Sequence, residues 1–193
     1  MKKAVLFLGL MFFGFVSFAQ NSEKHITFKG VPVDGFLSEY VAKMKYVGFE
    51  YVRGDSGEAV LKGDFAGYKG CTLKVATPHN HNLVHQITVL FPKQKDWVGL
   101  YGDYSRLKSL LSQKYGEPAK VEEIFLKYAR DDTGKILRLR SNDCRYCSTF
   151  SVDNGEILLS IICDNEDYAC KIKLVYTDKI NSTSFDNAAM NDL

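Results

Sequence analysis

Residues 151–177 read SVDNGEILLSIICDNEDYACKIKLVYT. The runs 156–163 and 170–177 carry apolar side chains at every second position, which is the period of a strand and not of a helix. Register follows from that alternation. Setting Cys163 opposite Cys170 places Ile161 against Ile172, Leu159 against Leu174 and Ile157 against Tyr176. A slip by one residue would bring Ile161 against Lys171 or Lys173, so the antiparallel pairing is strongly specified. Opposed residues of an antiparallel pair lie within disulfide reach, and a Cys163–Cys170 bridge is expected. Upstream, Asn154-Gly155 tolerates the positive φ angles of a type I′ turn and predicts a hairpin with Val152 opposite Ile157. Cys147 then falls opposite Ile162, on the other face from Cys163.

Working outward, the same order of elements occurs twice. Residues 34–47 place Leu37, Tyr40, Val41 and Met44 at helical spacing, with Asp34 as candidate N-cap and Gly48 as stop. Strand-like runs follow near 49–53, 59–68, 71–77 and 83–91, with Lys69-Gly70 as one of the turns. Residues 96–115 return to helical period through Leu100, Tyr104, Leu107 and Leu111, and Gly116 and Pro118 end that helix. Strands resume near 121–128, 146–152, 156–163 and 170–177, while 136–140 fits either period. A helix followed by an antiparallel meander, twice over, predicts an α+β fold with helices packed on a mostly antiparallel sheet. The expected organisation is a signal peptide at 1–19, a first half at 20–93, a second half at 94–180 and a mobile tail at 181–193.

The stretches HITFKGVPVDGFLSEYVAKMKYVGF and KDWVGLYGDYSRLKSLLSQKYGEP resemble small exported proteins of unassigned function from Gram-negative bacteria. The duplicated helix-plus-meander plan is similar to the β-lactamase-inhibitor-protein-like fold, a group of envelope assembly modules and secreted inhibitors. These resemblances imply an exported α+β protein and bring no activity with them.

The N-terminus agrees with export. Lys2 and Lys3 precede an uncharged run from Ala4 to Phe18, and Ser17-Phe18-Ala19 supplies small residues for cleavage before Gln20. Fifteen apolar residues fall short of the ~20 of a membrane span. No integral membrane segment is expected after cleavage, in a periplasmic or extracellular protein. Losing Lys2 and Lys3 lowers the 25 basic side chains to 23, equal to the 23 acidic ones. A net charge of zero gives nucleic-acid binding no support.

Three of the four histidines, His79, His81 and His85, are candidate metal ligands. His79 and His81 alternate with Asn80 and Asn82 after Pro78, however, which marks a loop tip. His85 shares the apolar row of Leu83, Ile87, Val89 and Phe91. The group therefore reads as a loop beside a core-edge residue, and no cofactor is implied. Cys144-x-x-Cys147 and the Cys163/Cys170 pair lack zinc-ribbon spacing, and in an exported chain cysteines favour disulfides. The fifth cysteine is Cys71. No Gly-x-Ser-x-Gly, phosphate-binding loop or His-Glu-x-x-His motif occurs. Asp131-Asp132 and Glu122-Glu123 read as solvated charge. Trp97, Tyr101 and Tyr104 are candidate binding residues, since Trp and Tyr are frequent interface anchors. Their alternative role is to seat the second helix on the sheet.

The leading expectation is a non-enzymatic binding module for another envelope or secreted protein, acting through an exposed sheet face or helix edge. The alternatives are an enzyme or metal-dependent protein using the histidine-bearing loop, and a structural envelope component.

Overall fold

The computed structural model describes residues 24–78, 82–164, 170–183 and 190. The signal peptide expected at 1–19, and His79 and His81, lie outside these residues. A two-stranded ribbon, β1 (Thr27–Phe28) and β2 (Val31–Pro32), leads into α1 (Leu37–Tyr46). Four strands follow: β3 (Glu50–Gly54), β4 (Glu58–Phe65), β5 (Tyr68–Ala76) and β6 (Gln86–Leu90). The second half comprises α2 (Trp97–Tyr115), β7 (Lys120–Phe125), α3 (Asp132–Arg140), β8 (Cys144–Val152), β9 (Gly155–Cys163) and β10 (Cys170–Asp178). A short helical stretch begins at 179.

The eight long strands form one antiparallel sheet in the order β3-β4-β5-β6-β10-β9-β8-β7. Each half is a meander, and the halves meet last strand to last strand, with Val89 opposite Leu174 and Ile87 opposite Tyr176. The first strand of each half therefore ends up at an edge of the sheet. α1 lies over β3, β4 and β5, while α2 lies over β8, β9 and β10. Both cover the same face, and their apolar stripes close a single core. Tyr40 and Met44 of α1 are buried, as are Leu100, Tyr104, Leu107 and Leu111 of α2. Burying a side chain of this size contributes about 1.5–3 kcal/mol, so these stripes rather than helix propensity hold the helices down.

The hairpin of β9 and β10 has the register read from its alternation. Cys163 faces Cys170, Ile161 faces Ile172, Leu159 faces Leu174 and Ile157 faces Tyr176. The sulfurs of Cys163 and Cys170 are at disulfide distance, with Cα atoms 4.0 Å apart. Asp96 caps α2 by accepting from Gly99 N at 2.8 Å. Gly48 and Gly116 stop the two long helices with φ of 98° and 87°, which favour a residue without Cβ.

Several local expectations are corrected. The β8–β9 hairpin pairs Val152 with Gly155 and Phe150 with Ile157, two residues from the expected register. The loop is Asp153-Asn154, with Asn154 at φ 55°. Gly155 instead sits in the ladder beneath Ile26, where an added Cβ would meet Ile26 side-chain atoms at 2.9 Å. Cys147 accordingly faces Ser160, and by alternation remains on the opposite face from Cys163. Residues 59–68 are not one strand, because Ala66 and Gly67 turn the chain at φ 52° and 86° between β4 and β5. The ambiguous 136–140 ends α3, and Asp131, read as solvated charge, is its N-cap through Gly134 N at 2.8 Å. Asp34 does not cap α1, whose N-cap is Phe36. Leu37 N instead donates to Asn82 O at 3.2 Å.

Candidate binding groove

At the β3 edge of the sheet, α1 and β3 diverge and leave a cleft of about 590 Å³. One wall is the outward side of α1, with Leu37, Ser38, Val41 and Lys45. The other is β3, with Tyr51 and Gly54. Phe36 and Asn82 close one end, and Ala59 and Asp55 complete the lining. The volume lies within the roughly 300–1,000 Å³ usual for ligand clefts. Leu37 and Val41 belong to the apolar stripe of α1, yet they are only half-buried, because the core is already filled by Tyr40 and Met44. Phe36 and Tyr51 are 54% and 50% exposed, so the rim presents aromatic surface to solvent.

The polar groups of the groove are few. Asp55 Oδ1 accepts from Gly57 N at 2.9 Å and Glu58 N at 3.0 Å. The bond to Gly57, then that to Glu58, holds the Asp55 carboxyl below its ordinary range. Lys45 forms no ion pair among the described residues. Every residue of β3 is exposed, and among the described residues no further strand pairs with its outer edge.

Beside the Phe36 end lies a polar cluster that sequence reading missed. His25 Nδ1 is 3.1 Å from Asp178 Oδ2 and Nε2 is 3.5 Å from Asp34 Oδ2. The Nδ1 contact lacks hydrogen-bond alignment and acts through charge when the ring is protonated. Asp178 is fully buried and accepts from Ile26 N at 3.1 Å and Asn181 N at 2.9 Å. Asn181 Nδ2 donates to Asp34 Oδ1 at 3.0 Å and Val84 O at 2.8 Å. Burial opposes the Asp34 carboxylate, but the Asn181 and Gly35 bonds with His25 and Lys43 hold its pKa below the usual value. Each Asp178 oxygen already receives a backbone N–H. The cluster therefore serves as a clasp tying the start of the described chain to Asn181, a residue the sequence assigned to the tail. No spacing signal marked it, because its members come from opposite ends of the chain.

His85 is half-buried, just before β6, with Nδ1 3.1 Å from Ala76 O. Burial lowers its pKa, against the Ala76 bond and the charge of Asp178. No group of three or more His, Cys, Asp or Glu among the described residues is arranged to hold a metal ion. Trp97 and Tyr104 are 5% and 1% exposed, packed at the foot of α2, whereas Tyr101 is 45% exposed. Tyr146 joins them, its ring centroid 5.0 Å from that of Trp97 and 5.8 Å from that of Tyr104. The Tyr104 hydroxyl bonds Ser148 Oγ at 2.6 Å and donates to Glu123 Oε1 at 3.2 Å, and Lys108 Nζ reaches the same oxygen at 2.6 Å. Burial raises the Tyr104 pKa. Glu123 thus has a structural role, and two of the three aromatic candidates seat the helix.

The sheet face turned away from the helices alternates Lys74, Thr88 and Lys173 with Leu90 and Leu158, all half-buried. Long polar stems interrupt its apolar surface. Among the described residues, no helix is long and apolar enough to cross a membrane. No protein-family model, curated protein or solved structure matches this chain.

Proposed function

We propose that the chain is an exported, non-enzymatic module that binds another protein through the α1–β3 groove. The observation that carries this reading is the groove's composition: an apolar helix wall and exposed aromatics beside a strand with a free edge. Tyrosine and other aromatic side chains at such rims are frequent interface anchors. The lining carries one uncommitted cation and no convergent acid–base pair, which favours binding over catalysis. The Cys163–Cys170 pair suits an oxidising compartment. The resemblance to exported proteins and to the β-lactamase-inhibitor-protein-like fold belongs to the same proposal.

Affinity capture from envelope extract tests it. The mature protein should retain one dominant partner that Tyr51→Ala, at a half-exposed position of the groove, fails to retain while melting like wild type. A partner held equally by both proteins would place the interface elsewhere.

A further inference from the structure

Resting on the groove reading, the geometry points to β-strand addition. An extended segment of the partner protein lies along the outer edge of β3, turns alternate apolar side chains toward Leu37 and Val41, and sets a carboxylate against Lys45.

The strand edge selects the occupant. β3 is the terminal strand of the sheet, and its backbone groups on the outer side bond no described strand. A helix laid in the groove would shield those groups from water without pairing them, and buried unpaired amides are costly. An extended chain pairs them. Its side chains then alternate between the two faces of the sheet, and those on the helix side enter the cleft. Five residues at about 3.3 Å each give a contact of roughly 17 Å, enough for two or three inward side chains. Charge supplies the second requirement. The Asp55 carboxylate is taken up by backbone N–H groups, so Lys45 is the uncommitted charge of the lining and calls for an acidic residue.

The other candidate occupants fit less well. β7, the opposite edge, exposes Val121 and Ile124 but is charged at Lys120, Glu122 and Glu123, three of its six residues against two of five in β3, and charge on an edge discourages pairing. The irregularity between Tyr51 and Arg53 hinders any strand laid on β3, but a second copy would bring it twice, once in each β3, whereas an extended peptide meets it once.

The test pans a phage-displayed library of random dodecapeptides against the mature protein, and then follows amide hydrogen exchange with a selected synthetic peptide bound. Selected sequences should carry apolar residues two apart with a nearby Asp or Glu. Exchange should slow at Glu50–Gly54, and Val41→Asp should weaken binding about tenfold or more. Lys45→Glu, at an exposed helical site that leaves the fold intact, should weaken it about fivefold. Peptides with helical apolar spacing, or unchanged exchange at β3 with binding still lost in Val41→Asp, would overturn strand addition and keep the groove. Binding indifferent to both variants, or no selected peptide at all, would overturn the groove reading itself. A dimer in sedimentation whose β3 amides are already protected would assign the edge to a second copy and overturn the inference.

Discussion

Removing the Cys163–Cys170 bridge gives the most quantitative test of the fold. The two residues are seven apart in sequence, so the bond closes a loop of about eight residues, and chain entropy assigns that loop about 2.5 kcal/mol at 25 °C. Cys170 is buried, and a serine there would add an unsatisfied hydroxyl, so the suitable variant is Cys163→Ala/Cys170→Ala. The remaining pairs of the hairpin, Ile161–Ile172 and Leu159–Leu174, keep their contacts in that variant. Urea denaturation should show a loss of about 2–3 kcal/mol with little change in slope, and the melting midpoint should fall by about 5–10 °C. Reducing the wild-type protein should reproduce most of the loss, because the effect resides in the unfolded chain. Peptide mapping under non-reducing conditions should recover Cys163 and Cys170 joined. A loss under about 0.5 kcal/mol would mean that the bridge does not constrain the unfolded chain, and a bridge from Cys163 to Cys147 would mean a different hairpin register.

Tyr40→Phe should leave stability unchanged or raise it by about 1–2 kcal/mol, because the hydroxyl is buried and bonds no described residue; a comparable loss in denaturation would show a bonded hydroxyl. Gly155→Ala should cost about 1–3 kcal/mol by pressing on Ile26, and adding Ile26→Ala should recover part of it in a double-mutant cycle. Because burial depresses the His85 pKa below 6.5, the folded state disfavours the charged ring. The His85 contribution is complete above that unfolded value and is lost as pH falls through the folded one. Melting midpoints from pH 8 to 5 should therefore fall less in His85→Gln than in wild type, and parallel curves would contradict this.

What could be read from sequence was whatever alternation alone determines. In 156–177 each strand has one apolar row, so register, cysteine pairing and the antiparallel hairpin followed together. The helices were equally legible, since Leu100, Tyr104, Leu107 and Leu111 leave one choice of buried stripe. Features set by distant residues were not. Gly155 looked like a turn glycine, but it is needed because Ile26 packs against it. Asp34 looked like a cap, but Asn181 and His25 draw it away. The left-handed Ala66 carries no turn signal, so Lys69-Gly70 looked the better bend. As for the groove, Leu37 and Val41 were read as part of one helical apolar stripe, and they pack against the core with only part of their surface while the rest lines the cleft. A helix with more apolar positions than its core requires was the available sign.

Site-specific photo-crosslinking in the native cell reports whether the α1–β3 groove holds a protein partner. A photoreactive residue replaces Val41 or Tyr51 in the groove, or Tyr128 and Leu158 as controls away from it. One adduct of the same mass is expected from Val41 and Tyr51, and none from Tyr128 or Leu158. An adduct from Leu158 on the uncovered sheet face, with none from the two groove positions, would contradict binding in the groove.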